Sequence, residues 1–164
     1  MFDVGDKIVY PMHGAGIIES IEEKEILGFK QYYYIIKMPI GDMKVMIPID
    51  NVDDIGIREI IDANEAEKVF ELLKEDRIAV NNNWNKRYRE NMEKLKDGSI
   101  YEIAQIAKSL MTRDKSLSTG ERKLMINAKN AVLSEIMLAK NISLVQAENA
   151  LNDSIYCDSD VEEE

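Results

Sequence analysis

One cysteine, one histidine and three prolines in 164 residues leave several kinds of protein out. Cys157 has no second thiol with which to form an internal disulfide, and its neighbours Asp158, Ser159 and Asp160 suit a reduced surface thiol. His13 has no Cys or second His near it at metal-ligand spacing, so neither a zinc site nor a Cys–His hydrolase is indicated. No apolar run is long enough to span a bilayer, and Met1-Phe2-Asp3-Val4-Gly5-Asp6 lacks the basic start and apolar core of a signal peptide, which predicts a cytoplasmic protein. Positive charge is also scarce. With 21 Lys and Arg against 31 Asp and Glu, the net charge is -10 and the isoelectric point is near 4.7. A chain so acidic cannot grip phosphates tightly by itself, so any nucleic-acid contact must be local, weak and supported by attachment to something else.

What is present divides near Asn64. Before it, short apolar runs alternate with turn residues. The spacing predicts a strand entered after Val4-Gly5-Asp6 and ended by Pro11, and then a loop over 12–16. The two glycines of that loop suit a tight turn better than a phosphate cradle, because no Lys and no helix follow. Further strands are predicted over 16–26, over 29–38 with its run Tyr32-Tyr33-Tyr34-Ile35-Ile36, and over 43–48 after the turn Pro39-Ile40-Gly41-Asp42. Residues 49–56 are less regular and have room for one more short strand. Such an arrangement predicts a small, strongly curved sheet or SH3-like barrel, a kind of module that usually binds a partner.

After Asn64 the period changes to that of helices. Four helix starts carry capping-box signatures, at Asp62 with Glu65, Ser99 with Glu102, Ser118 with Glu121 and Ser143 with Gln146. Another helix is predicted from about residue 83 to Lys96, stopped by Asp97-Gly98. Apolar stripes such as Ile100, Ile103, Ala104, Ile106, Ala107, Leu110 and Met111 predict a compact helical bundle whose methionines fill the core. A hinge is predicted over 77–83, and a disordered acidic tail at the end of the chain.

The only tryptophan sits beside the densest basic cluster, Trp84-Asn85-Lys86-Arg87-Tyr88-Arg89. Two readings compete. Trp84, Tyr88, Met92 and Leu95 follow helical spacing, which predicts one core-facing stripe. Equally, cations beside an aromatic ring suit nucleic acid, with the charges on phosphates and the ring stacked on, or wedged against, an exposed base.

Val4-Gly5-Asp6 with Val9-Tyr10-Pro11 and His13-Gly14, the pairs Asn83-Trp84 and Arg87-Tyr88, Leu95-Lys96-Asp97-Gly98, and Leu117-Ser118-Thr119-Gly120-Glu121 come in an order and spacing that resembles the CarD/CdnL family of bacterial transcription regulators. The likeness runs from Phe2 to about Ile155. The resemblance implies an α+β protein: a Tudor-like small β-barrel that binds the β subunit of RNA polymerase, then an all-α domain that contacts promoter DNA at the upstream fork of the melted region. The boundaries expected are 1–63 for the first domain, 64–156 for the second and 157–164 for the acidic tail. In the family, the tryptophan matching Trp84 wedges into the minor groove at that fork and slows bubble collapse. Lys86, Arg87 and Arg89 occupy the positions of basic residues that contact the backbone. At the polymerase face Lys24 keeps a basic position, while Met46 stands where another basic residue is common.

No cofactor, metal, membrane or small-molecule substrate is expected, and the protein is expected to act as a non-enzymatic monomer. The alternative reading is a protein-protein adaptor whose β-rich module binds some other partner and whose helical domain only packs.

Overall fold

The computed structural model describes residues 2–75, 84–113 and 116–156, with only the backbone of Glu75 and Trp84. The expected hinge over 77–83 and the expected acidic tail lie outside these described residues.

Five strands, β1 (Lys7–Tyr10), β2 (Gly14–Ile26), β3 (Phe29–Lys37), β4 (Lys44–Pro48) and β5 (Arg58–Glu59), form one antiparallel sheet in the order β4-β3-β2-β1-β5. β2 holds the sheet together by pairing β1 over Gly14–Ile17 and β3 from Ile17 to Ile26, with an irregularity between Ile18 and Ser20 that bends it. Ile8, Ile18, Tyr34, Ile36 and Ile47 fill the inner face, and Val52 packs with them. The Tyr34 hydroxyl accepts from the Phe2 amide at 2.9 Å and donates to the Phe2 carbonyl at 3.0 Å, which ties the start of the chain to the sheet.

Two expectations need correction. The strand predicted from Gly16 already begins at Gly14, because Gly14, Ala15 and Gly16 pair with Tyr10, Val9 and Ile8, leaving only a tight turn closed by Met12 at φ 72°. Glycine is a poor strand former, but there is no room for a larger residue here: a Cβ on Gly16 would lie 2.6 Å from Ile36 Cγ2 and 2.8 Å from Met38 Sδ. Over 49–56 the chain makes a 3₁₀ turn (Ile49–Asn51) and one helical turn, α1 (Val52–Ile55), closed by Gly56 at φ 86°. The fifth strand comes after this segment, at Arg58–Glu59.

The helices are α2 (Ala63–Glu75), α3 (Trp84–Asp97), α4 (Ile100–Met111), α5 (Thr119–Lys140) and α6 (Leu144–Tyr156). Asp62, Ser99, Ser118 and Ser143 each accept a hydrogen bond from the backbone amide three residues on, at 2.8, 3.4, 3.2 and 3.1 Å. At α6 the box is reciprocal, since the Ser143 amide donates to Gln146 Oε1 at 3.0 Å. α3 does stop at Gly98, though without a left-handed glycine: Gly98 is required because a Cβ there would run into the Lys94 carbonyl.

α5 runs through the middle of the molecule. Residues 131–136 are buried without a break, because one face meets α4 and α6 while the other meets β2. A helix buried on two sides does not show a single clean stripe. The architecture is α+β: a small Tudor-like sheet followed by an all-α bundle, with α5 as the shared wall.

Candidate nucleic-acid and partner-binding surfaces

α3 begins at Trp84. Three members of the expected stripe behave as periodicity requires: Leu95 is fully buried, and Tyr88 and Met92 are half-buried against the bundle core. The indole of Trp84, which belongs to the same spacing, lies outside the described side chains. Away from that stripe Lys86, Arg89, Glu90, Glu93, Lys94 and Asp97 are exposed, cations and acids together.

Arg87 points elsewhere. Its Nε donates to Glu121 Oε2 at 3.2 Å and its Nη2 to Oε1 at 3.0 Å, a two-pronged grip on a carboxylate that is only 2% exposed. The Arg113 guanidinium approaches the same carboxylate at 3.6 Å. Beside this pair the ring of Tyr88 lies over Gly120, whose added Cβ would stand 3.4 Å from Tyr88 Cε2. Two motifs read separately in the sequence, Arg87-Tyr88 and Thr119-Gly120-Glu121, are therefore the two sides of one contact. The structure brings Lys86 and Arg89 to the surface on α3 and turns Arg87 into the helix junction.

On the sheet, register places Lys24 and Met46 on one face. Lys24 pairs with Gln31; Gln31, Tyr33 and Ile35 alternate onto the same side of β3; and Ile35 pairs with Met46. Lys24 is exposed, with Glu22 at 3.8 Å, and Met46 is 43% exposed. Ile26 and Phe29, a cross-strand pair at the end of the hairpin, share this face and are exposed as well, Phe29 at 72%. Sequence reading did not single them out, since apolar residues in a strand look the same whether they face a core or a partner.

The sheet and the bundle are clamped together by residues that sequence reading also passed over. Glu135, on α5, accepts from Arg58 Nη1 at 2.8 Å, Arg58 Nη2 at 2.9 Å and the Ile61 amide at 2.9 Å. Ser134 Oγ accepts from the Ala15 amide at 2.8 Å and donates to the Ala131 carbonyl at 2.9 Å. Lys7 Nζ donates to the Leu138 carbonyl at 3.1 Å. A clue was available in the acidic Glu135 sitting among apolar residues of a predicted helix, but its partners lie 77 and 74 residues away.

Two clefts of about 200 and 230 Å³ flank this seam, the first lined by Tyr10, Arg58, Asp97 and Glu135, the second by Met12, His13, Met43 and Asn130. The ring of His13 packs on Tyr10 with centroids 4.4 Å apart. Among the described residues no cluster of His, Cys, Asp and Glu is arranged to hold a metal, and no helix is long and apolar enough to cross a membrane.

Comparison with known proteins gives matches on both sides of the seam. Residues 2–61 match the CarD-like/TRCF RID domain, and residues 68–152 match the CarD C-terminal domain. A putative transcription factor, YdeB of Bacillus subtilis (strain 168), is 41% identical over 148 residues, covering 87% of this chain and 95% of its own. The solution NMR structure of the 72-residue N-terminal domain of Myxococcus xanthus CarD is 32% identical, covering 36% of this chain and 79% of that one with a TM-score of 0.32. With family matches on both modules and a relative aligned over most of its length, this chain belongs to the CarD/CdnL family of bacterial transcription regulators.

Proposed function

We propose that the protein docks on the β subunit of RNA polymerase through its sheet and stabilises the open promoter complex through α3. In this reading residues 1–63 form the docking domain and 64–156 the DNA-contacting domain, followed by the acidic residues 157–164. The protein acts in the cytoplasm as a monomer and performs no chemical step. Lys24 and Met46 lie in the docking surface. Met46 in place of a cation makes that surface less polar, and Ile26 and Phe29 extend it with apolar area. At the other end, Trp84 wedges at the upstream edge of the bubble while Lys86 and Arg89 contact the DNA backbone, with Arg87 supporting that contact from its place against Glu121.

The observation that carries this reading is the setting of α3. The helix is held to the bundle by Tyr88, Met92 and Leu95, it begins at the lone tryptophan, and it exposes Lys86 and Arg89 on the side away from the core. A rigid helix with cations on its outer edge suits backbone contact without sequence readout. The net charge of -10 makes free DNA binding poor. Attachment to polymerase compensates, because tethering raises the effective concentration of α3 at the promoter to the order of millimolar. A weak wedge is then sufficient: a tenfold longer-lived open complex needs only about 1.4 kcal/mol.

The test is Trp84→Ala in the full chain. Binding to the polymerase β subunit should be unchanged, while the lifetime of the open complex at a promoter this protein acts on should fall by up to about tenfold. An unchanged lifetime would remove the wedge from the mechanism. Failure of the wild-type chain to retain the β subunit in a pull-down would instead favour an adaptor for a different partner.

A further inference from the structure

Within the reading of α3 as the DNA-contacting helix, we infer that Arg87 is a positioning residue and not a phosphate ligand, and that buried Glu121 is the group through which it acts. Both prongs of the Arg87 guanidinium lie on Glu121, at 3.2 and 3.0 Å, and the arginine side chain is only 15% exposed. Glu121 is fixed in turn. It sits in the first turn of α5, its amide is held by the Ser118 hydroxyl, and Arg113, just beyond α4, stands 3.6 Å away. One carboxylate thus joins α3, the exit of α4 and the start of α5, beside the contact of Tyr88 with Gly120. A phosphate could take Arg87 only by leaving a desolvated carboxylate without its principal partner, and an exposed phosphate contact is too weak to offset that loss. Arg87 therefore stays on Glu121 in the DNA complex. The pair sets the rotation of α3, and with it how the start of the helix, Lys86 and Arg89 are presented.

A phosphate ligand and a positioning residue differ in how they respond to salt. The quantity to measure is the ratio of open-complex lifetimes with and without the full-length protein, followed as a function of salt. Each phosphate contact contributes a slope of roughly 0.9 in the logarithms. Arg89→Ala is expected to flatten the slope by about that amount. Arg87→Met is expected to lower the ratio by roughly two- to threefold, within the scale of coupling in one charge network, and to leave the slope unchanged. Glu121→Gln should lower the ratio in the same way. If Arg87 were a phosphate ligand, Glu121→Gln would raise the ratio by removing a competitor, and Arg87→Met would flatten the slope as Arg89→Ala does; either result overturns the inference.

Should the single variants fold poorly, the double variant Arg87→Met/Glu121→Gln removes both charges together, which is better tolerated than breaking the pair. It must keep the wild-type slope, and a flattened slope overturns the inference. Emission from Trp84 in the free protein gives a readout that needs no DNA, because Trp84 is the only tryptophan and lies three residues before Arg87. Arg87→Met and Glu121→Gln should shift that emission alike. If Arg89→Ala leaves the salt slope untouched, the DNA reading of α3 falls. The emission then decides the positioning claim alone, with a common shift supporting it and an unmoved spectrum overturning it.

Discussion

Glu135→Ala is expected to destabilise the protein by about 2–4 kcal/mol, the cost of losing two charge-assisted hydrogen bonds and leaving one buried amide without its acceptor. Glu135 is 1% exposed and accepts three hydrogen bonds, two from Arg58 and one from the Ile61 amide. Alanine removes the acceptor of all three, although Arg58 Nη1 keeps its bond to the Glu59 carbonyl at 3.0 Å. The Arg58 side chain is 37% exposed and can turn to water, but the Ile61 amide is in a buried hydrogen bond and cannot. The same three bonds tie the end of the sheet to α5, so their loss should also loosen the seam between the modules. For a chain of this size the destabilisation should lower Tm by roughly 10 °C, as read from thermal unfolding. Glu135→Gln keeps an acceptor oxygen and should cost less. A loss below about 1 kcal/mol for Glu135→Ala would mean that water replaces the clamp without penalty.

The second large effect is expected at Gly14. Its φ of 101° is one that residues with a Cβ rarely adopt, and a Cβ placed there would lie 2.6 Å from Ser134 Oγ and 3.4 Å from Ala131 Cα. Gly14→Ala therefore strains the backbone, by about 1–3 kcal/mol. It also displaces the Ser134 hydroxyl that the Ala15 amide needs, adding about 1–3 kcal/mol for the lost buried bond. The sum should be visible in urea unfolding as a lower midpoint with little change in slope. Ser134→Ala should be destabilising alone, but the double variant should cost clearly less than the sum of the two, because both act on the same hydroxyl. Simple additivity would place the strain elsewhere.

Both effects concern the seam that gives the two modules one relative orientation. That orientation matters for the proposed function, since a sheet docked on polymerase can aim α3 at the promoter fork only if α5 holds sheet and bundle together. The Arg87–Glu121 pair extends this arrangement by one step, from the start of α5 to the helix that carries Trp84.

How much of this was legible in the sequence depends on the range of each interaction. The helix starts at Asp62, Ser99, Ser118 and Ser143 were readable because a cap and its amide lie three residues apart, and the side chain needs nothing from the rest of the fold. The strand over 29–38 was readable from its β-branched and aromatic run, and the α3 stripe from its period. Less legible was the start of β2. Gly14 and Gly16 look like loop residues to any local measure, and they are in the strand because Ser134, Ile36 and Met38 come too close for a side chain. β5 was missed for a similar reason: two residues carry no periodicity, and Arg58–Glu59 is a strand only because β1 offers it a free edge.

The basic cluster around Trp84 divides along the same line. By itself the sequence determined that cations and an aromatic ring share one segment of an otherwise acidic chain, and that the helix there has a core-facing stripe, since composition and period are properties of neighbouring residues. The tertiary structure alone decided that Arg87 faces Glu121, 34 positions away, while Lys86 and Arg89 face outward, and that Lys24 and Met46 share a sheet face. Local sequence sets which side of a helix or strand a residue occupies. What lies opposite that side depends on how distant segments pack, and a buried carboxylate can choose its partner only once they have packed.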